Sequence, residues 1–219
     1  MIRCWVMSAV RTYREVASRI GDGVVFRRIC LLLLFLVTPC SPALSYEWFA
    51  PRSSAFVFAG QFMQGTFPGW VNIPYAEKPE NNFLVGAAYG LQLIQFGNIL
   101  VGTEVGVAGR FGDATAGEFW AGPSYRYRIH LGPVTVTPGI VAGFSVVTGT
   151  LGTERLREVK NRGNATLLFY LAPEIAFSFA YLSNVEFIFR VQHRSGAEGT
   201  LGRMGEGANA NIFGVRWSL

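Results

Sequence analysis

The feature of this sequence that most limits its fold is a set of eight segments in which large apolar residues alternate with small or polar ones. A period of two places successive side chains on opposite faces of a β-strand, so each segment predicts a strand with two unlike faces. Stretches rich in turn-forming residues separate the segments. The predicted strands cover approximately residues 53–66, 82–96, 98–110, 115–129, 133–147, 166–180, 184–195 and 208–219.

The two faces of these strands indicate what each side of the sheet meets. In one segment, Val105 and Val107 share a face, and Glu104 and Gly106 share the other. A soluble barrel would turn its apolar face inward, whereas here the second face carries glycines and a few charges that can pair in a narrow lumen. Those charges are Glu104, Glu118, Arg126, Glu174, Glu186, Arg190 and Arg216. We therefore predict an all-β fold, an eight-stranded antiparallel up-and-down transmembrane β-barrel whose large apolar side chains face lipid.

The first 45 residues differ from the rest of the chain. Arg27 and Arg28 precede the apolar run 29–37, and Ala43-Leu44-Ser45 offers small residues before a cleavage site. This order is typical of an export signal. We predict a signal peptide at residues 1–45, with a long N-terminal region that an overcalled start codon would explain, and a barrel domain at residues 46–219.

Charge and cysteine content restrict the functions of the predicted barrel. Residues 1–45 contain six arginines and two acidic residues, so most of the net charge of +5 lies in the leader and nucleic-acid binding is not expected. All three cysteines also lie in the leader. The barrel therefore has no residues for a disulfide or a thiolate metal site. We predict neither a metal nor a cofactor.

The lengths of the connections predict how the barrel is oriented. Gly97-Asn98 is short, as periplasmic turns are, whereas 67–81, 148–165 and 196–207 are long, as external loops are. The loop containing residues 154–162 then lies outside, where its four cations are predicted to contact lipopolysaccharide phosphates. The alternative is a solvated loop of mixed charge. The four cations are Arg155, Arg157, Lys160 and Arg162.

A histidine and a serine end the seventh segment. His193 and Ser195 occupy odd positions and continue the lipid-facing column of Phe187, Phe189 and Val191. Residues i and i+2 of a strand lie roughly 6.5–7 Å apart at Cα, so their side chains can lean together. A histidine so placed can deprotonate a serine for attack on an ester carbonyl. The alternative is a histidine that only makes hydrogen bonds at the membrane interface.

This part of the chain resembles the lipid A 3-O-deacylase (PagL) family of eight-stranded outer-membrane barrels. His193-Arg194-Ser195 matches the family's late His-x-Ser motif, and the glycine-rich loop and final strand match residues 196–219. The resemblance in motif covers about the last 35 residues. It implies that Ser195 is the nucleophile, that His193 is the general base, and that no metal takes part.

Two positions depart from the family pattern. The family often has asparagine directly after the serine, whereas this chain has Gly196, so the backbone N–H groups of Gly196 and Ala197 are the candidate oxyanion donors. The glutamate that orients the histidine in the family is matched, counting back from the C-terminus, by Asn209. The nearest carboxylate is Glu206. Both Glu206 and Asn209 remain candidates for the third catalytic residue.

Two functions of different classes follow from this sequence. The first is an outer-membrane deacylase, with lipid A or lipopolysaccharide as substrate, the 3-O acyl ester implied by the resemblance, and a homodimer compatible with it. The second is a non-catalytic small outer-membrane barrel with a structural or surface-interaction role. A Gram-negative outer-membrane location, reached through the cleaved signal peptide, is predicted in both cases.

Overall fold

The alternating segments form β-strands in the part of the chain that the structure, a computed structural model, describes: residues 52–66 and 78–219. A helix, α1, lies between the sixth and seventh strands at Gly152–Asn161. The predicted leader at 1–45 lies outside the described residues. In chain order, the strands are β1 (Arg52–Met63), β2 (Pro79–Phe96), β3 (Ile99–Phe111), β4 (Thr115–Tyr127), β5 (Ile129–Leu131), β6 (Val134–Val147), β7 (Leu167–Phe179), β8 (Val185–Ser195) and β9 (Glu206–Ser218).

The strands close into a barrel. Consecutive long strands pair antiparallel, β1 pairs with β9, and β4 pairs with β6. The three-residue strand β5 pairs with β6 and belongs to the hairpin between β4 and β6. Each of the eight long strands thus has a partner on both sides, which satisfies the backbone hydrogen bonds that lipid cannot. The structure confirms the predicted eight-stranded antiparallel transmembrane barrel.

The outer surface is apolar, as the alternation predicted. Val85, Val107 and Phe213 are 56%, 55% and 65% exposed, and comparable side chains project from the other strands. Large apolar side chains are thus exposed on each of the eight long strands, and this is the outer surface a lipid-facing barrel needs. No helix among residues 52–66 and 78–219 has the length and apolar character to cross a membrane.

The lumen contains the predicted charge pairs. Arg190 donates to Glu104 at 2.6 Å, Arg126 to Glu174 at 2.6 Å and Arg216 to Glu174 at 2.8 Å. All five side chains are at least 87% buried within the barrel. Pairing of this kind offsets the high cost of burying each charge separately.

The lumen also contains an aromatic core that the sequence analysis did not predict. The ring of Trp120 lies 5.5 Å from that of Tyr170 and 5.8 Å from that of Phe58. Gly106 faces the Trp120 ring so closely that a Cβ there would overlap it. The lumen is therefore packed with side chains around its middle. It opens, at the end with the short turns, into a polar cavity of about 680 Å³.

Helix α1 corrects one part of the prediction for residues 154–162: the segment predicted as a loop is helical. It covers most of that segment and ends at Asn161, followed by the cap residue Arg162, whose φ of 48° is left-handed. Its Glu154 is only 1% exposed and accepts hydrogen bonds from Arg110, at 2.7 Å, and from Arg194. The helix thus contacts the barrel through a buried charge rather than an apolar stripe, and hydrophobic periodicity could not reveal it.

Candidate active site

The predicted catalytic residues meet where β8 ends and β9 begins. His193 lies directly opposite Asn209, and Ser195 lies opposite Glu206. Between these two pairs β8 has one residue, Arg194, while β9 has two, so β9 contains a β-bulge. The bulge puts Glu206 and Asn209 on the same outer face although they are three positions apart. Regular alternation would place them on opposite faces.

Gly207 and Arg157 fix the shape of this bulge. A Cβ on Gly207 would lie 2.6 Å from Leu168 Cδ1 and 2.7 Å from the Arg194 carbonyl oxygen, so the position requires glycine. The Gly207 carbonyl accepts a hydrogen bond from Arg157 Nη1, on helix α1, at 2.8 Å. The bulge is therefore held from the strand side by packing and from the helix side by a guanidinium group.

Asn209 fixes the orientation and the tautomer of His193. Asn209 Nδ2 donates to the Gly65 carbonyl at 2.7 Å, and its Oδ1 lies 2.6 Å from His193 Nδ1. Because the carbonyl can only accept, the amide must present Nδ2 to Gly65 and Oδ1 to the ring. Oδ1 can also only accept, so Nδ1 carries the proton. Nε2 is then left with the lone pair that a general base needs.

Glu206 is the more distant of the two candidate third residues. Its Oε2 lies 3.9 Å from His193 Nδ1, too far for a hydrogen bond between those atoms but close enough to stabilise a protonated ring. The Glu206 side chain is 27% exposed, whereas that of His193 is 7% exposed. The structure therefore brings both candidates to His193, with Asn209 as the hydrogen-bond partner and Glu206 as a nearby negative charge.

Ser195 shares the outer face with His193 at the end of β8. Its neighbours across the sheet are Phe169 on β7 and Glu206 on β9. The i, i+2 spacing gives a Cα separation of roughly 6.5–7 Å, which two side chains leaning together can span. A serine here faces the lipid side of the barrel, beside the long connections.

The loop after Ser195 uses one of the two predicted oxyanion donors internally. The Gly196 N–H donates to the Gly205 carbonyl at 2.8 Å, so it is occupied in this structure. Ala197 has a φ of 48° and is exposed in the same loop. Of the predicted pair, Ala197 therefore remains the candidate donor.

The four predicted phosphate-binding cations fall into two groups. Arg155 donates to the Thr150 carbonyl at 2.8 Å, and Arg157 donates to three backbone carbonyls. Lys160 and Arg162 are exposed at the C-terminal end of the helix. The prediction of phosphate contact therefore rests mainly on Lys160 and Arg162, since protein groups engage the guanidinium groups of the other two.

Sequence reasoning missed Gly65 and Gly207, and it assigned Arg157 to phosphate contact rather than to support of the bulge. One signal was available for the bulge. Glu206 has an even number and Asn209 an odd one, so both can face His193 only if β9 contains a bulge, and the glycine between them is a residue often found at bulges. Nothing in the sequence indicated that a helix would contribute a guanidinium group to the site. Among residues 52–66 and 78–219, no group of three or more His, Cys, Asp or Glu side chains is arranged to hold a metal ion.

The fold and this outer-face site define a small transmembrane β-barrel. No protein-family model and no curated protein matches the chain. Among solved structures it is similar to the outer membrane enzyme PagL, at 15% identity and a TM-score of 0.46, over 78% of this chain and 100% of that one. It is also similar to Neisserial surface protein A, at 12% identity and a TM-score of 0.49, over 78% and 100% of the two chains.

A third similar structure is Ail, the attachment invasion locus protein of Yersinia pestis, at 10% identity and a TM-score of 0.41, over 77% of this chain and 98% of that one. The three proteins include one called an enzyme and one called a surface protein. At this level the likeness concerns barrel architecture, and it carries no argument about activity. The function has to be argued from the residues of the site.

Proposed function

We propose that this chain is an outer-membrane esterase that removes an ester-linked acyl chain from lipid A. The observation that supports it most is the hydrogen bond between His193 Nδ1 and Asn209 Oδ1, with Asn209 anchored to the Gly65 carbonyl. That arrangement leaves Nε2 of a lipid-side histidine unprotonated, two residues from a serine on the same face. The apolar outer surface supports a location in the membrane.

In this mechanism Ser195 is the nucleophile and His193 the general base. Nε2 takes the Oγ proton as Oγ attacks the ester carbonyl, and the N–H of Ala197 donates to the developing oxyanion. His193 then gives the proton to the departing sugar oxygen, which releases the deacylated lipid and leaves an acyl-serine. Water, deprotonated by His193, attacks that ester, and His193 returns the proton to Ser195 Oγ as the fatty acid leaves. Asn209 orients the ring, and the Glu206 carboxylate stabilises its protonated form.

The position of the site supports a lipid substrate over a soluble one. His193 and Ser195 extend the apolar column of β8 toward the end of the barrel with the long connections. An acyl ester in a lipid headgroup region meets that level of the barrel, whereas a soluble ester would have to partition into the membrane. Lys160 and Arg162 lie at the same end, where lipid A carries its phosphates. The 3-O position is the one that the resemblance implies.

The second candidate function is that of a non-catalytic barrel, in which the same residues only stabilise the end of the barrel with the long connections. The low exposure of the His193 side chain, 7%, favours this reading, because a buried histidine with a hydrogen-bond partner can be purely structural. In that case Ser195 would have no chemical role, and its replacement would leave lipid A unchanged.

Mass spectrometry of lipid A from Gram-negative cells separates the two functions. Cells would express the wild-type chain, Ser195→Ala, His193→Ala, or Ser183→Ala, a matched control at an exposed serine in the turn before β8. The proposal predicts loss of one acyl chain with the wild type and the control, and intact lipid A with the two site variants. Intact lipid A with a wild-type protein that is folded, as a heat-dependent shift in gel mobility reports, would overturn it.

A further inference from the structure

We propose that Arg157 is a positioning residue, which keeps His193 in the tautomer that a general base requires. It would act through Asn209 and the β-bulge, without touching the substrate. The catalytic consequence rests on the proposed function. The effect on the tautomer does not, and it can be measured separately.

The first support is the set of atoms that the Arg157 guanidinium group contacts. Nη2 donates to the carbonyls of Gln64 and Gly65, each at 3.0 Å, and Nη1 donates to the Gly207 carbonyl at 2.8 Å. These carbonyls belong to the segment after β1 and to the bulge in β9. One side chain thus joins the segment after β1 to the β9 bulge, close to Asn209.

The Gly65 carbonyl connects Arg157 to the histidine. It accepts from Arg157 Nη2 and also from Asn209 Nδ2, at 2.7 Å. Its position therefore decides which way the Asn209 amide points. The amide in turn presents Oδ1 to His193 Nδ1 at 2.6 Å. A displaced Gly65 carbonyl would release the amide, and with it the requirement that Nδ1 carry the proton.

A second contact of helix α1 with the barrel, through Glu154, holds the helix where Arg157 reaches these carbonyls. Glu154, one turn earlier on the same side of the helix, is buried and accepts from Arg110 and Arg194. Arg194 lies between His193 and Ser195 and points into the lumen. Helix α1 therefore contacts arginines of the lumen through Glu154 and backbone carbonyls beside the candidate active site through Arg157.

The geometry also distinguishes positioning from the phosphate contact predicted for Arg157. Binding a phosphate needs a positive charge, which lysine also provides. Holding three carbonyls at once needs the planar fork of donors that arginine has and lysine lacks. Arg157→Lys should therefore preserve a phosphate contact but lose the positioning effect.

Nitrogen NMR of the imidazole rings tests the effect on the tautomer. The chain has two histidines, His130 and His193, so a ¹⁵N-histidine sample in detergent micelles gives two rings to assign. In the wild type we expect His193 to be protonated at Nδ1. In Arg157→Ala and Arg157→Lys we expect its signals to move toward the Nε2-protonated form, with His130 unchanged as an internal reference. Arg203→Ala, at an exposed arginine of the neighbouring loop, should match the wild type.

Kinetics with lipid A in detergent tests the catalytic consequence. We expect kcat to fall about 10- to 100-fold in both Arg157 variants, the range seen when an outer hydrogen-bond partner is removed, with KM nearly constant. An unchanged His193 spectrum in folded Arg157→Ala would overturn the proposal. So would recovery of kcat by lysine, or a rise in KM alone, since both indicate a charge contact with substrate. If the wild type has no activity, the proposed function fails while the NMR result still decides the role of Arg157.

Discussion

Replacing Asn209 with leucine removes the hydrogen bond that orients His193 and the bond that anchors the amide to Gly65. The ring loses the acceptor 2.6 Å from Nδ1, while the Gly65 carbonyl keeps its donor from Arg157. Asn209 is only 2% exposed, so water does not readily replace the lost acceptor. The loss of a hydrogen bond to a buried donor costs about 1–3 kcal/mol.

That free energy sets the expected loss of activity. The bond to Asn209 matters most when His193 is protonated in the transition state. If its loss raises the barrier by that free energy, kcat falls about 5- to 150-fold, because 1.36 kcal/mol corresponds to a factor of ten. The assay is the initial rate of acyl release from lipid A in detergent, with fold checked by heat-dependent gel mobility. We expect kcat to fall within that range for Asn209→Leu and unfolding to become easier by a similar free energy.

Asn211→Leu is the matched control. Asn211 lies two residues further along β9, on the same outer face, opposite Val191. Leucine there faces the lipid side without breaking a bond to the histidine, so activity should be that of the wild type. Equal activity of the two leucine variants would refute the argument that Asn209 orients the base.

The remaining predictions concern the neighbours of this pair and the lumen. Glu206→Gln should lower kcat by less than Asn209→Leu does, since its Oε2 is 3.9 Å from the ring; a larger loss in the same assay would make Glu206 the main partner. Gly207→Ala should destabilise the barrel by about 1–3 kcal/mol through overpacking and should lower activity. The control Gly205→Ala should change neither stability nor activity, because its Cβ would meet nothing within 4 Å. Equal unfolding midpoints of the two variants would contradict this. Arg190→Leu leaves the buried Glu104 carboxylate without its main partner and should cost about 3–5 kcal/mol. Urea unfolding in detergent measures this cost, and a wild-type midpoint would contradict it.

The strands could be predicted from the sequence because every second side chain of a membrane-spanning strand faces lipid and has to be apolar. Val105 and Val107 face outward and Glu104 faces the lumen, as their parity predicts. His193 and Ser195 follow the same rule, and this is why their shared face could be predicted without a structure. Parity says which face a side chain occupies but not what it contacts there.

The supporting part of the site could not be predicted because it depends on departures from regular alternation. The bulge at Gly207 adds one residue to β9, which reverses the expected face of Glu206 relative to Asn209. Helix α1 is held by the buried charge of Glu154, and a charged helix face looks like a solvated loop in a sequence. Arg157 reaches carbonyls that are distant in the chain, such as Gly65, and no local pattern encodes a contact to a backbone oxygen.

The most direct test of the central claim is covalent labelling of Ser195. An alkyl fluorophosphonate forms a stable adduct with a serine only when a neighbouring base activates the hydroxyl, and peptide mass spectrometry identifies the labelled residue. We expect one adduct, at Ser195, in the folded wild-type barrel, and none in His193→Ala. A folded wild-type protein that carries no adduct at Ser195, or equal labelling of the two proteins, would contradict it.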